Sequence, residues 1–210
     1  AEALLAAAKA TGARLLYLAN PDNPMGSHHP AAVIEDLVAN LPADTLLILD
    51  EAYADLAPED AIPAIPADHP QVIRFRTFSK GYGMAGARVG YAIAEPSLAL
   101  AFDKVRDHFG IGRTSQVGAL AALADQDWLR QVKAQIAAGR DRLGRIARAN
   151  GLEPLPSATN FVTIDLGRDG DHARKVLAEA QARGLFIRMP GVAPLDRCLR
   201  ISIGPDPALD

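Results

Sequence analysis

Thr45-Leu46-Leu47-Ile48-Leu49-Asp50-Glu51-Ala52-Tyr53 is the stretch on which the architecture turns. Up to Leu49 it is apolar without alternation. That is the pattern of a strand covered on both faces, and burial on both faces is the habit of parallel sheets. Residues 45–49 therefore read as an interior strand. Moving outward, residues 14–18, 72–75 and 89–94 read as further strands. A turn cluster, Asn20-Pro21-Asp22-Asn23-Pro24-Met25-Gly26, follows the first of these. A helix comes next, with Ser27 as its cap, Pro30 in its first turn and apolar spacing through Leu41. Residues 57–70, rich in Pro and Ala, read as a surface loop. Strands alternating with helices predict an α/β layer with a mostly parallel sheet and flanking helices.

The texture changes past the midpoint. Residues 97–109 and 114–125 read as helices, and 127–150 as a long amphipathic helix stopped by Gly151. Residues 161–165, 186–189 and 198–203 read as strands, with a helix over 171–183 that ends at Gly184. That set predicts a small α+β domain over 126–210, after a larger α/β domain over 1–125. Residues 1–10 resemble the tail of a helix, and 204–210 the lead-in to another, so part of a longer protein is expected.

Composition narrows the function. Of 210 residues, 49 % are hydrophobic and 22 % charged, which is ordinary globular usage. A net charge of -3 gives no footprint for nucleic acid or for an anionic membrane face. The one cysteine, Cys198, permits no intrachain disulfide and suits a reducing compartment. No apolar run approaches the ~20 residues needed to span a bilayer, and no secretory leader pattern opens the chain. A cytoplasmic enzyme is the expectation. The five histidines show no ligand spacing with acids or Cys198, so no metal is expected. There is no nucleophile elbow for Ser/His/Asp chemistry.

Lysine is scarce: five, against seventeen arginines. Four of the five fall in helical stretches, where a solvated face explains them. Lys80 does not. It stands in Thr77-Phe78-Ser79-Lys80-Gly81-Tyr82-Gly83, just past a strand. Functional groups of open α/β sheets gather at the carboxyl ends of strands, and glycines let backbone approach a ligand. A desolvated lysine amine there becomes a nucleophile; the other reading is a loop lysine. Asp50 ends the apolar run, where a carboxylate needs a cationic or hydrogen-bonded partner. A protonated pyridine nitrogen is such a partner, and pyridoxal phosphate withdraws electrons only while that nitrogen keeps its proton. Tyr53 can reach the same ligand. Arg88, eight residues after Lys80 and past Gly86, offers a guanidinium fork for a phosphate, and Ser79 a hydroxyl. Arg200, in the strand-like Leu199-Arg200-Ile201-Ser202-Ile203, suits a planar carboxylate; otherwise it is an arginine facing solvent.

Three motifs stand in an order that resembles the class I/II aminotransferases of pyridoxal phosphate (PLP) fold type I, and most of all histidinol-phosphate aminotransferases. They are Asn20–Gly26, Asp50-Glu51-Ala52-Tyr53, and Ser79-Lys80-Gly81-Tyr82-Gly83-Met84-Ala85-Gly86-Ala87-Arg88-Val89-Gly90-Tyr91. The resemblance covers nearly the whole chain. It implies that Lys80 forms the Schiff base with PLP and shuttles the proton of the 1,3-shift, and that Asp50 pairs with the pyridine nitrogen. Asn23 and Tyr53 would hold the phenolic oxygen, and Ser79 and Arg88 the phosphate. Arg200 and Asn160 would meet the substrate carboxylate or its counterpart, and Arg188 a substrate phosphate. The implied reaction is transamination between an amine such as L-histidinol phosphate and 2-oxoglutarate, in a homodimer with shared sites.

The departures bear on substrate. Met25 replaces the usual threonine, Met189-Pro190-Gly191 stands where an acidic residue is common, and the segment 108–115 differs. Arg113 in that segment could meet an anionic substrate or a neighbouring subunit, or simply open a helix. An aromatic or broad-range aminotransferase and a PLP decarboxylase or lyase are the alternatives within the fold. A non-catalytic fragment or PLP-fold regulator is the alternative outside enzymology. Relatives are nearly twice as long, and their N-terminal part brings the ring that stacks on the cofactor and a phosphate-cradling helix start. Weak cofactor binding and little turnover are expected of these residues alone.

Overall fold

A computed structural model describes residues 1–205, and the chain falls into two compact units. The first comprises Ala1–Pro21 and His28–Arg130, the second Asp22–Ser27 and Gln131–Asp210.

In the first unit, helix α1 (Glu2–Thr11) is closed by Gly12 in a left-handed conformation at φ 63°. Strands β1 (Leu15–Ala19), β2 (Leu46–Asp50), β3 (Val72–Thr77) and β4 (Gly90–Ile93) form one sheet in chain order. The first two pairings are parallel and the last antiparallel, so the sheet is mostly parallel as its apolar runs predict. Helix α2 (Ala31–Ala39) crosses from β1 to β2 and buries Ile34 and Leu37. They join Ala8, Leu16, Leu47, Leu49, Ile65 and Val72 in one core. Each large aliphatic side chain buried there contributes roughly 1.5–3 kcal/mol. Helix α3 (Pro96–Ala101) follows β4, and a second core gathers Phe78, Tyr82 and Val89 with Ala119 of α4 (Arg113–Ala124) and with Leu129.

Helix α5 (Gln126–Ala149) carries the chain into the second unit. There β5 (Glu153–Pro154), β6 (Phe161–Asp165) and β7 (Cys198–Ser202) make an antiparallel sheet. Helix α6 (Gly170–Ala182) is capped by the Asp169 carboxylate, which accepts the His172 N–H. Leu143 and Ala147 of α5 pack with Val162, Ile164, Ala173 and Leu199.

Several expected elements differ. Ser27 does not cap α2; Pro30 takes that position, and the Ser27 hydroxyl donates to Asp22 instead. The helix expected over 97–109 stops at Ala101 and gives way to a 3-10 turn over Phe102–Lys104. Residues 57–70 are not simply a surface loop: Ala57, Ala61 and Ile65 are buried, and a 3-10 turn spans Glu59–Ala61. The strand expected over 186–189 is reduced to a single bridge between Arg188 and Arg200. Of residues 204–210, expected as the lead-in to a further helix, 206–210 lie outside the described residues. Among the described residues no helix is long and apolar enough to cross a membrane, and no three His, Cys, Asp or Glu converge on a metal position.

Candidate active site

The parallel register puts the carboxyl ends of the first three strands at one edge of the sheet. Ala19 pairs with Asp50, and Asp50 with Phe75. Asp50 is half-buried there, and both its oxygens are held. Oδ1 accepts the Ala52 N–H at 3.0 Å, and Oδ2 accepts the Tyr17 hydroxyl at 2.7 Å. Burial first, then the hydrogen bond to Asp50 and its charge, push the Tyr17 phenol up to about 12. Tyr17 escaped the sequence reading. A tyrosine among the aliphatics of β1 was the available signal, since its hydroxyl needs a partner; strand register supplies that partner.

Glu51 faces the other way and is 1 % exposed. It takes a two-pronged contact from Arg74, at 2.9 and 3.1 Å, and a third from Arg76 Nε at 2.8 Å. The buried carboxylate of Asp50-Glu51-Ala52-Tyr53 is thus a structural clamp between β2 and β3, while Asp50 stays at the edge. The clamp outweighs burial and holds the Arg76 guanidinium above its usual pKa.

Tyr53 follows, 5 % exposed, and its ring carries the Lys80 ammonium 5.1 Å from the centroid. Lys80 is half-buried. Among the described residues it has no ion pair and no hydrogen bond from its amine. The loop that presents it is tightly specified. Gly83 N–H donates to Lys80 O, Met84 N–H to Phe78 O, and Phe78 N–H to Val89 O. Gly81 is pressed against Leu129 and Asp55, where a Cβ would stand 3.1–3.2 Å from each. Ser79 sits beside Thr77: the Thr77 hydroxyl donates to Ser79 Oγ at 2.9 Å and accepts the Ser79 N–H at 3.1 Å.

The strand expected over 89–94 runs from Gly90 to Ile93, and Arg88 before it caps a 3-10 turn, Ala85–Ala87, in the left-handed region at φ 53°. It is the non-glycine residue with positive φ among the described residues, a conformation uncommon outside Asn, Asp and Gly. Strain of this kind clusters at ligand sites. Its guanidinium is exposed and donates to Ala85 O at 2.9 Å, with no carboxylate partner among the described residues.

The second unit brings together Asn23 and Arg200. The turn around Asn23 is fastened to β6 and to the segment before it: Thr163 hydroxyl donates to Pro24 O at 2.6 Å, and Ala158 N–H to Gly26 O at 2.8 Å. Gly26 has φ 82° and no room for a Cβ, which would stand 2.6 Å from Ser157 Oγ. Arg200 Nη1 donates to Asn23 Oδ1, and its Cζ lies 4.8 Å over the Phe161 ring. Its buried Nε has no partner among the described residues. Arg188 is paired by backbone to Arg200 but exposes its side chain near Phe186, and Asn160 is half-buried with its carbonyl accepting Ile203 N–H. Arg113 is exposed at the start of α4. A cleft of about 620 Å³ in this unit, lined by Arg140, Arg145 and Arg148 among others, includes none of these residues.

The donor set of the first unit fits a phosphorylated pyridine aldehyde: an unpaired amine, a carboxylate with its orientation fixed, a hydroxyl pair and an unpaired guanidinium, all on one sheet and its following loop. The sequence model of the family "Aminotransferase class I and II" matches residues 1–210. A curated relative, histidinol-phosphate aminotransferase 2 of Ralstonia nicotianae, is 39 % identical over 95 % of this chain and 54 % of its own length. Histidinol-phosphate aminotransferase 1 of Cupriavidus pinatubonensis is 36 % identical over the same shares. The crystal structure of histidinol-phosphate aminotransferase from Sinorhizobium meliloti, in complex with pyridoxal-5'-phosphate, superimposes with a TM-score of 0.96 at 55 % identity, covering 100 % of this chain and 58 % of that one. The chain spans about half the length of the curated relatives it matches.

Proposed function

The chain belongs to the class I and II aminotransferases, and from that premise we propose that it is the lysine-bearing part of a PLP-dependent enzyme that transfers the amino group of L-histidinol phosphate to 2-oxoglutarate. The observation that carries this reading is Lys80: a half-buried amine seated on the Tyr53 ring, with no anion to neutralise it among the described residues. Such an amine is available to hold the cofactor's carbonyl carbon covalently as a Schiff base. When bound, PLP supplies the electron sink for carbanion chemistry.

The remaining roles are read from the side chains. Asp50 holds the ring nitrogen's proton, with Ala52 and Tyr17 fixing its oxygens. Tyr53 and Asn23 offer donors to the phenolic oxygen. Ser79 and Arg88 receive the phosphate, which gives the exposed guanidinium of Arg88 its anion. Arg200 and Asn160 receive the anionic end of the substrate or of its oxo-acid partner, and the unsatisfied Nε of Arg200 supports this. Arg188, exposed beside Arg200, takes a substrate phosphate. Residues 1–125 form part of the cofactor-binding domain and 126–210 the small domain, in a cytoplasmic homodimer. Relatives named for histidinol phosphate, at 36–39 % identity, favour that donor over an aromatic amino acid.

The test is a half-reaction screen of the full-length protein carrying this chain. PLP is added, the visible band recorded, and conversion to the amine form of the cofactor followed with single donors. Rapid conversion by histidinol phosphate is expected. Conversion only by phenylalanine or tyrosine would replace the donor, and release of carbon dioxide without a second oxo acid would replace the reaction. A visible band that survives Lys80→Ala would remove Lys80 from its role.

A further inference from the structure

Tyr17 reaches Asp50 across a strand boundary. It lies on β1 opposite Ile48 of β2, two residues before Asp50, so the alternation of side chains puts Tyr17 and Asp50 on one face of the sheet. The ring is 58 % exposed, yet its hydroxyl is committed to Asp50 Oδ2 at 2.7 Å, the short range of hydrogen bonds to a charged acceptor. Ala52 N–H holds the other oxygen. A carboxylate held by Ala52 alone can turn about Cβ–Cγ; one held at both oxygens cannot.

We propose that Tyr17 is a positioning residue for the cofactor: its hydroxyl locks the Asp50 carboxylate in the orientation that faces one oxygen lone pair to the pyridine nitrogen. This rests on Asp50 being the partner of that nitrogen, as proposed above. The alternative is a tyrosine that only fills the rim of the sheet, its hydrogen bond incidental. The two differ in what loss of one oxygen atom does. Tyr17→Phe keeps the ring and its packing and frees Oδ2. If Tyr17 positions Asp50, the nitrogen loses its aligned acceptor in part of the molecules and holds its proton less well. The amine of Lys80 and the phosphate-binding groups are untouched, so the cofactor still binds.

The experiment uses the full-length enzyme loaded with PLP carrying 15N in the ring. The ring-nitrogen signal of the wild type is compared at one pH with those of Tyr17→Phe and Asp50→Asn. Asp50→Asn is expected to move the signal away from the protonated position, and Tyr17→Phe to move it part of the way in the same direction, with cofactor occupancy retained. With Ala52 still in place, kcat should fall about tenfold in Tyr17→Phe, within the range that slight misplacement of a catalytic group costs, while KM for the amino donor holds. A Tyr17→Phe signal identical to wild type, alongside a shifted Asp50→Asn signal, overturns the role of Tyr17 and leaves that of Asp50 standing. An unshifted Asp50→Asn signal overturns both. A second measurement needs no change at Tyr17 and no cofactor. In the PLP-free enzyme, Asp50→Asn should bring the Tyr17 phenol down from about 12 toward the ordinary 10, read as tyrosinate absorbance. A phenol that stays put overturns the coupling.

Discussion

The side chain of Glu51 lies between two guanidiniums, with 11 % of Arg74 and 19 % of Arg76 exposed. Removing one member of such a cluster leaves buried charge uncompensated, and the loss exceeds anything the intact pair contributes over an apolar replacement. Glu51→Ala should therefore destabilise the protein by about 3–5 kcal/mol in urea unfolding, while Asp50→Asn at the neighbouring position should cost little stability. That contrast separates two adjacent acids that look alike in sequence. Tyr17 makes a prediction on the alkaline side. Its folded value is raised to about 12 from 10, so the stability it contributes is complete below pH 10 and is lost as pH climbs through 12. Tyr17→Phe should lose that contribution in the neutral region and flatten the alkaline part of the stability curve, so that variant and wild type converge as pH climbs through 12. Cys198 is buried, and burial pushes its thiol up. Thiol reagents should label it slowly in the folded protein.

At the scale of elements, two close approaches decide where functional loops sit. A Cβ on Gly90 would stand 2.9 Å from the carbonyl oxygen of Arg76, a backbone atom that cannot step aside. Gly90→Ala should push β4 from β3 and cost about 1–3 kcal/mol, and it should loosen the Lys80 loop between those strands, seen as faster amide exchange at Phe78 and Met84. Gly26→Ala meets both a left-handed backbone and Ser157. It should detach the Asn23 turn from the second unit and deprive Arg200 of its amide partner. The motif around Lys80 was legible as a strand followed by a glycine loop. The conformation of Arg88 was not, because a left-handed arginine carries no local signature; the Phe78–Val89 and Met84–Phe78 hydrogen bonds that close the loop set it.

On the scale of the molecule, the first unit carries Lys80, Asp50, Tyr53, Ser79 and Arg88, and the second carries Asn23, Asn160, Arg188 and Arg200. Apolar surface accompanies this half-length chain. In the first unit, Phe78, Tyr91, Leu120 and Leu123 border a groove of about 430 Å³, with Leu120 70 % and Leu123 46 % exposed. Exposed apolar grooves of this kind bind hydrophobic dyes. The 210-residue chain alone should enhance anilinonaphthalene-sulfonate fluorescence, and the paired change Leu120→Lys and Leu123→Lys should abolish most of that signal.

The amino-acid sequence by itself determined the layer order, the parallel core strands, the lysine loop and the family, because each rests on local pattern: unbroken apolar runs, turn residues and motif spacing. It placed β6 at residues 161–165, where the structure has it. It overran at residues 97–109 and 186–189, where apolar spacing was present but neighbours to complete a helix or a ladder were not. Only the tertiary structure decided that Asp22–Ser27 joins the second unit, since Thr163 and Ala158, more than 130 residues away, hold it. Only the tertiary structure decided that Tyr17 grips Asp50 and that Glu51 does not share its neighbour's role. Strand register and the side to which a buried charge turns are set by partners distant in the chain, and no local pattern encodes them.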